Sequence, residues 1–313
     1  MASLPAVNSD YPNLSAAFDH LRDGNLAVSV SVWRDHAKVF GKAFGLTADW
    51  HAINSDTPMV IASVSKLVTA ITAARLATVG LLAVDGPVPW NAMGLAHDPA
   101  WDNVTVRELL NHTSGMPIAG KSWFDDPGSC ATPLTAALSL PPRDTRGKWT
   151  YSNGNYCAIG LLVELVTAQR IDEAAESLVF DPLGISGAHL TLDPRPTTDG
   201  PYALNLARLD RLGGAGTWMI SSDDVALMLS AITSDDLNTL TFPGVFVDQY
   251  GWGHTGTVDG AKACAWVIEN GRTIVTALVA GNAPSSGGRL CDVVVPALAL
   301  DLGLWADRPN RDP

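Results

Sequence analysis

A chain of 313 residues with 47% hydrophobic and 17% charged residues has the composition of a globular protein, long enough for one large core or two subdomains. The formal net charge of −12 argues against nucleic acid or an anionic membrane as a partner. No segment reaches the roughly 18 unbroken apolar residues of a membrane span, so the sequence predicts no such span.

The N-terminal region lacks the pattern of a secretory signal. Residues 1–25 contain Asp10, Asp19 and Asp23 and no apolar core. We therefore expect a cytoplasmic protein, or an exported one if a leader is missing from this chain.

The first 80 residues predict a helix, two strands and a second helix, at 11–24, 26–33, 38–44 and 63–79. The first strand alternates, with Val28, Val30 and Val32 on one face and small residues on the other. Gly80 is the stop signal of the second helix.

The rest of the chain changes from helices to strands. Residues 81–205 are rich in proline and other loop signals, with helical segments at 104–111, 134–139, 155–169 and 171–179. They are followed by β-prone segments at 252–258, 262–268 and 273–280 and by a closing helix at 293–304. The last two strands flank Asn270-Gly271, and Asn-Gly is a strong hairpin signal.

This order of elements predicts an α/β (α+β) fold class. Residues 1–80 and 206–313 are expected to form an antiparallel sheet flanked by helices, and 81–205 an inserted, mostly helical subdomain. The cleft between the two is the natural place for an active site.

The sequence Ser63-Val64-Ser65-Lys66 places a serine and a lysine three residues apart on a predicted helix, so the two side chains share a face. A serine hydroxyl needs a base to become a nucleophile, and a lysine amine kept from water can serve as one. The alternative is a helix cap followed by an exposed lysine.

Two further motifs follow in order. Tyr151-Ser152-Asn153 offers a phenol as a second acid or base and an amide as a substrate clamp, although Ser and Asn are also common in turns. His254-Thr255-Gly256 begins a strand whose edge can pair with a substrate, although it also fits an ordinary strand with a surface histidine. All three together indicate serine acyl transfer.

Neither close pairing nor metal-ligand spacing is found among the four cysteines, Cys130, Cys157, Cys264 and Cys291. We expect buried free thiols, with disulfides as the alternative. The sequence predicts no metal and no cofactor, because the G-x-G-x-x-G match at 251–256 does not open a helix.

These motifs resemble the serine β-lactamase and penicillin-binding family, in the branch of class C β-lactamases, D-alanyl-D-alanine carboxypeptidases and related esterases. The resemblance extends over residues 60–66, 109–116, 151–156, 213–216 and 221–224. It implies the β-lactamase/transpeptidase-like fold.

The resemblance also implies roles for individual residues. Ser63 would form the acyl-enzyme, and Lys66 and Tyr151 would share the base and acid roles. Asn153 would orient Lys66 and the substrate amide. The oxyanion hole would use the backbone N–H groups of Ser63 and Thr257, and the substrate would be faced by His254, Thr255 and Gly256.

The strand motif departs from the Lys-Thr-Gly that is usual in β-lactamases of this branch. Histidine is mostly neutral at pH 7 and does not supply a permanent charge for a substrate carboxylate. We therefore predict a serine hydrolase for a small ester or amide. The alternatives are a D-alanyl-D-alanine carboxypeptidase acting on D-amino-acid peptides, a weak β-lactamase, and an idle ligand-binding member. Trp123, Trp218 and Trp252 are candidates for an apolar acyl pocket, although tryptophans are more often core residues.

Overall fold

A computed structural model describes residues 10–47, 50–118, 129–190, 210–216, 218–232, 236 and 245–304. It contains nine strands: β1 Ala27–Arg34, β2 Ala37–Phe44, β3 Met59–Val60, β4 His189–Leu190, β5 Trp218–Ile220, β6 Phe246–Val247, β7 Gly251–Val258, β8 Ala261–Ile268 and β9 Thr273–Ala280. Eight α-helices are described: α1 Pro12–Asp23, α2 Ser65–Thr78, α3 Val106–Leu110, α4 Ala131–Leu138, α5 Asn153–Thr167, α6 Ile171–Ala175, α7 Ser222–Ser230 and α8 Gly287–Asp301.

The main sheet is antiparallel and has six strands in the order β2-β1-β9-β8-β7-β6. The predicted hairpin at Asn270-Gly271 is formed, since Ile268 pairs with Thr273 and both turn residues have positive φ angles. A second sheet, β3-β5-β4, was not predicted. Strands of two or three residues are too short to show a period of two.

The two faces of the main sheet are covered by different helices. Val28, Val30 and Val32 pack with residues of α1 and α8 in one apolar core. The opposite face packs against the larger core, which includes α2, α5 and α7. The predicted α/β class with an antiparallel sheet and flanking helices is thereby confirmed. The boundary predicted at 205/206 falls outside the described residues.

The cysteine prediction is wrong, because all four cysteines are paired. Cys130 joins Cys157 across 27 residues of sequence, and Cys264 joins Cys291 across another 27. The Cα atoms are 6.0 and 5.3 Å apart, within the range that a disulfide spans. The first bridge ties the start of α4 to α5, and the second ties β8 to α8. Both disulfides form because elements that are separate in the sequence pack together. The spacing of the cysteines along the chain therefore did not predict the pairs.

Within the described residues, no helix is long and apolar enough to cross a membrane.

A buried carboxylate joins α7 to the edge of the sheet. Asp223 is only 5% exposed, and it accepts hydrogen bonds from Ser31 on β1 and from Lys38 on β2. Burial opposes the ionisation of Asp223, but hydrogen bonds from Asp56, Lys38 and Ser31 outweigh burial and lower its pKa. Asp223 therefore stays ionised and holds three segments together.

We expect Asp223→Ala to reduce the free energy of unfolding by about 1–3 kcal/mol, since it leaves the buried Ser31 hydroxyl without its acceptor and removes the carboxylate partner of Lys38. Urea denaturation followed by circular dichroism measures the change. The matched control is Asp85→Ala, which removes a carboxylate from an exposed ion pair with Arg107. Equal unfolding midpoints for the two variants would contradict the assigned role of Asp223.

Candidate active site

Ser63 lies in a tight turn rather than inside the helix that was predicted to start there. Residues Ala62–Val64 form a 3₁₀ turn, and α2 begins at Ser65. Ala62 has a φ of +46°, an unfavourable conformation for a residue with a side chain. The turn is held because the Ile61 N–H donates to the Trp218 carbonyl of β5 at 3.2 Å. It leaves the Ser63 side chain partly exposed.

Lys66 is fully buried and lies next to Ser63. Its Nζ is 3.1 Å from Ser63 Oγ, and it donates to the Ala215 carbonyl at 2.6 Å. Burial lowers the pKa of Lys66 well below its usual range, which favours the neutral amine. A neutral amine has a lone pair and can accept the Ser63 proton.

Tyr151 completes the cluster from a distant loop. Its hydroxyl donates to Ser63 Oγ at 2.9 Å, and its ring centroid is 5.0 Å from Lys66 Nζ. Burial raises the pKa of Tyr151 to about 12, so the phenol keeps its proton at neutral pH. The structure thus brings together the three residues that were predicted as catalytic. Burial favours the deprotonated form of the Lys66 amine and the protonated form of the Tyr151 phenol.

The contact predicted between Asn153 and Lys66 is not formed. Asn153 is the first residue of α5, and its Oδ1 is buried without a hydrogen-bond partner among the described residues. The Ala215 carbonyl takes the place next to Lys66 that was predicted for Asn153. The free Oδ1 is a potential acceptor for a substrate N–H group.

Gly256 allows β7 to come into close contact with the 3₁₀ turn that carries Ser63. A Cβ atom at this position would lie 2.3 Å from the Ile61 carbonyl oxygen and 3.1 Å from the Ala62 Cβ. Only glycine allows this distance. The absence of a side chain at Gly256 therefore brings the strand edge up to Ser63.

The edge of β7 that faces away from β8 pairs with β6 at Trp252 and Gly253. Beyond Gly253 this edge is open among the described residues, and it presents backbone groups of alternate positions. Asp248 N–H donates to the Gly251 carbonyl at 2.9 Å, so the peptide groups of Gly251 point away from β8. Alternation along the strand gives Thr255 and Thr257 the same direction. Their N–H and C=O groups therefore lie along the edge of β7 that is not paired with β8.

His254 is almost fully buried at 1% exposure. Its Nδ1 is 2.7 Å from the Thr255 carbonyl oxygen, which can only accept, so Nδ1 carries the proton and Nε2 carries the lone pair. Nε2 has no hydrogen-bond partner among the described residues. Burial lowers the pKa of His254 to about 3, and the imidazole is neutral at physiological pH.

His112 has a contact with Tyr151 that the sequence did not indicate. Its Nδ1 accepts from the Ser152 N–H at 3.3 Å and lies 2.9 Å from the Asn155 side-chain amide. The His112 and Tyr151 ring centroids are 4.7 Å apart. His112 thus packs against the tyrosine that contacts Ser63.

The glycine-rich stretch 213–216 was noted as part of the family resemblance, without a role. A Cβ atom at Gly214 would lie 2.7 Å from the Tyr156 carbonyl oxygen, and a Cβ at Gly160 would lie 3.0 Å from Gly214 N. These glycines allow the segment to approach α5 and present the Ala215 carbonyl to Lys66. No property of an alanine side chain could have identified that carbonyl.

The tryptophans proposed for an acyl pocket are placed differently. Trp218 is buried and packs edge-on against Phe180 in the core. Trp252 is partly buried against the same core, and Trp123 lies outside the described residues. The described part of the chain contains no group of three or more His, Cys, Asp or Glu side chains that could hold a metal ion.

A family model described as Beta-lactamase matches residues 14–297, which is most of the chain. The chain belongs to the Beta-lactamase family. The curated proteins that it is similar to include hydrolases, among them an esterase and a D-alanyl-D-alanine carboxypeptidase.

Two curated relatives illustrate the range. Esterase EstB of Burkholderia gladioli is 32% identical over 55% of this chain and 49% of its own length. Penicillin-binding protein 4 of Amycolatopsis lactamdurans is 27% identical over 65% of this chain and 63% of its own length. The chain thus spans about half to two thirds of the length of these two relatives.

A solved structure shows the same fold over nearly the whole chain. The D-amino acid amidase from Ochrobactrum anthropi SV3, complexed with L-phenylalanine amide, superposes with a TM-score of 0.77 at 18% identity. The match covers 94% of this chain and 100% of the amidase. The predicted β-lactamase/transpeptidase-like fold is confirmed.

We expect Gly256→Ala to lower the free energy of unfolding by about 1–3 kcal/mol, because the added methyl group overpacks the contact with the Ile61 carbonyl. Thermal unfolding measures the effect. The control is Gly288→Ala in α8, where the nearest atom to an added Cβ is 3.7 Å away. Equal stability of the two variants would show that β7 does not depend on this close approach.

Proposed function

We propose that the protein is a serine hydrolase that cleaves an ester or amide bond through an acyl-enzyme on Ser63. One observation carries the proposal: Ser63 Oγ lies 3.1 Å from the buried Lys66 amine and 2.9 Å from the Tyr151 hydroxyl. This pairing supplies a base and an acid to one hydroxyl.

In the acylation step, the Ser63 hydroxyl gives its proton to the lone pair of Lys66, and Oγ forms a bond to the substrate carbonyl carbon. The carbonyl oxygen becomes an oxyanion. When the tetrahedral intermediate collapses, the bond to the leaving group breaks and the leaving group takes the proton of Tyr151. Lys66, now an ammonium, stabilises the resulting phenolate and returns a proton to it.

The oxyanion needs hydrogen-bond donors that are fixed before the reaction starts. In this proposal, the donors are the N–H groups of Ser63 and Thr257, the second of which lies on the open edge of β7. The Thr255 backbone edge and the Asn153 amide bind the rest of the substrate. Water then attacks the carbonyl carbon of the acyl-enzyme and gives a proton to Lys66. The bond between that carbon and Ser63 Oγ breaks, Oγ takes a proton back from the amine–phenol pair, and the acid is released.

The neutral state of His254 favours an ester or amide over a peptide with a free carboxylate. Recognition of a D-alanyl-D-alanine terminus or a β-lactam carboxylate is served best by a fixed positive charge, and His254 at a pKa of about 3 offers none. Carboxypeptidase and β-lactamase activities therefore rank below esterase or amidase activity. An idle binding protein would have no need for an amine and a phenol on one serine.

Ser63→Ala should abolish covalent labelling by a fluorophosphonate probe, as seen by intact mass, while the exposed Ser285→Ala control labels like the parent protein. Labelling of the Ser63 variant would overturn the proposal.

Tyr151→Phe should reduce kcat for an ester about 10²–10⁴-fold, since it removes the proton donor. An unchanged kcat for this variant would remove Tyr151 from the proposed mechanism. A penicillin adduct on Ser63 that persists over time would instead favour the carboxypeptidase alternative.

The pH dependence follows from the same protonation states. The active form needs neutral Lys66 and protonated Tyr151, so kcat/KM should rise with pH through the lowered pKa of Lys66 and then stay level. A fall is expected only near the Tyr151 pKa of about 12. His254→Gln should leave the acid limb in place, because this histidine is already neutral there. An acid limb that disappears in the His254 variant would assign the base to the histidine.

A further inference from the structure

Aromatic rings from two separate segments lie beside Tyr151. Phe246 of β6 stacks on Tyr151 with ring centroids 6.3 Å apart and planes 22° apart. Trp149 lies 6.3 Å from Tyr151 and 5.9 Å from Phe246, centroid to centroid. Phe246 also lies 5.1 Å from the His254 ring. We call Trp149 and Phe246 the aromatic wall.

The aromatic wall extends from the protein surface to Tyr151, the residue that donates a hydrogen bond to Ser63. Trp149 is 47% exposed, Phe246 is partly buried, and His254 is buried. A tryptophan that was only part of the core would not keep nearly half of its surface in water beside three other rings. A ligand ring placed there would gain both apolar burial and aromatic contacts.

The chemistry decides which part of a substrate lies against the wall. The leaving group must take a proton from a donor at Ser63, and Lys66 is fully buried behind it. Tyr151 is therefore the donor that a leaving group can reach. Phe246 and Trp149 are the rings next to that donor, so the leaving group is placed among them.

The charge around the wall is consistent with an uncharged leaving group. The described titratable rings that contact the wall are those of Tyr151, His112 and His254, and burial lowers the pKa of both histidines, which favours their neutral forms. His254 contributes a neutral ring with a lone pair on Nε2, which would repel a carboxylate. An aromatic carboxylate would lose hydration here without gaining a cationic partner from these three rings.

We propose that the aromatic wall is a leaving-group pocket, and that the preferred substrates carry an uncharged aromatic alcohol or amine as the group released on acylation of Ser63. This inference rests on the proposed function. The bond between the carbonyl carbon and the leaving oxygen or nitrogen breaks, its electron pair stays on the leaving atom, and that atom takes the Tyr151 proton. Trp149 and Phe246 are specificity residues and take no part in proton transfer.

The test compares three acetate esters that differ only in the alcohol: benzyl, methyl and 4-carboxybenzyl. These alcohols are of similar acidity, so differences in kcat/KM report on binding of the leaving group. We expect the benzyl ester to exceed the methyl ester by about tenfold or more, as two aromatic contacts would give. The carboxylate of the third ester should abolish most of that advantage.

Trp149→Ala and Phe246→Ala should each lower the ratio of benzyl to methyl kcat/KM by about two- to tenfold. Trp149→Phe should retain part of it. The control is Trp50→Ala, which removes an indole that is 81% exposed and should leave the ratio as it is.

The outcomes separate this inference from the proposed function. A ratio that stays constant in the wall variants, while Ser63 is still acylated, overturns the pocket and leaves the acyl-enzyme standing. A 4-carboxybenzyl ester as good as the benzyl ester overturns the preference for an uncharged group. Failure to hydrolyse any of the three esters, with no labelling of Ser63, contradicts the proposed function itself.

Discussion

A buried amine that forms no ion pair with any described residue sets the requirements for the groups around Ser63. Taking an ammonium out of water is unfavourable, so burial lowers the pKa of Lys66 and favours the neutral amine that the proposed mechanism needs. The amine still needs an acceptor for its N–H, and the Ala215 carbonyl provides it at 2.6 Å. Any opening that admitted water to Lys66 would restore its charge and remove the base.

Glycines are the means by which the surrounding segments come close enough to exclude that water. Gly214 and Gly160 let the segment around Ala215 press against α5, and Gly256 lets β7 touch the turn that carries Ser63. The sheet fixes the third side, since β7 is held by β8 along its full length. The site is therefore built by backbone packed on backbone, and side chains supply only the reacting groups.

Local patterns in the sequence were sufficient for the long strands and for the Ser63–Lys66 pair, because alternation and a spacing of three report directly on neighbouring side chains. Tyr151 lies 88 residues from Ser63 and was found only through its motif. Ala215 was missed because every residue has a carbonyl. Phe246 was missed because a two-residue strand has no detectable period. Contacts between residues that are far apart in the sequence cannot be predicted from the local spacing of residues. The two disulfides are contacts of this kind.

Those two cysteine pairs connect the molecule to the redox state of its surroundings. Disulfides persist in oxidising compartments and are rare where glutathione and thioredoxin keep thiols reduced. Cys264 is buried in the core, so a reduced chain would fold around its thiol without the link from β8 to α8. The Cys130–Cys157 bridge is anchored in α5, the helix that follows Tyr151. Reduction would therefore remove two covalent links, one of them in the helix that begins two residues after the tyrosine facing Ser63.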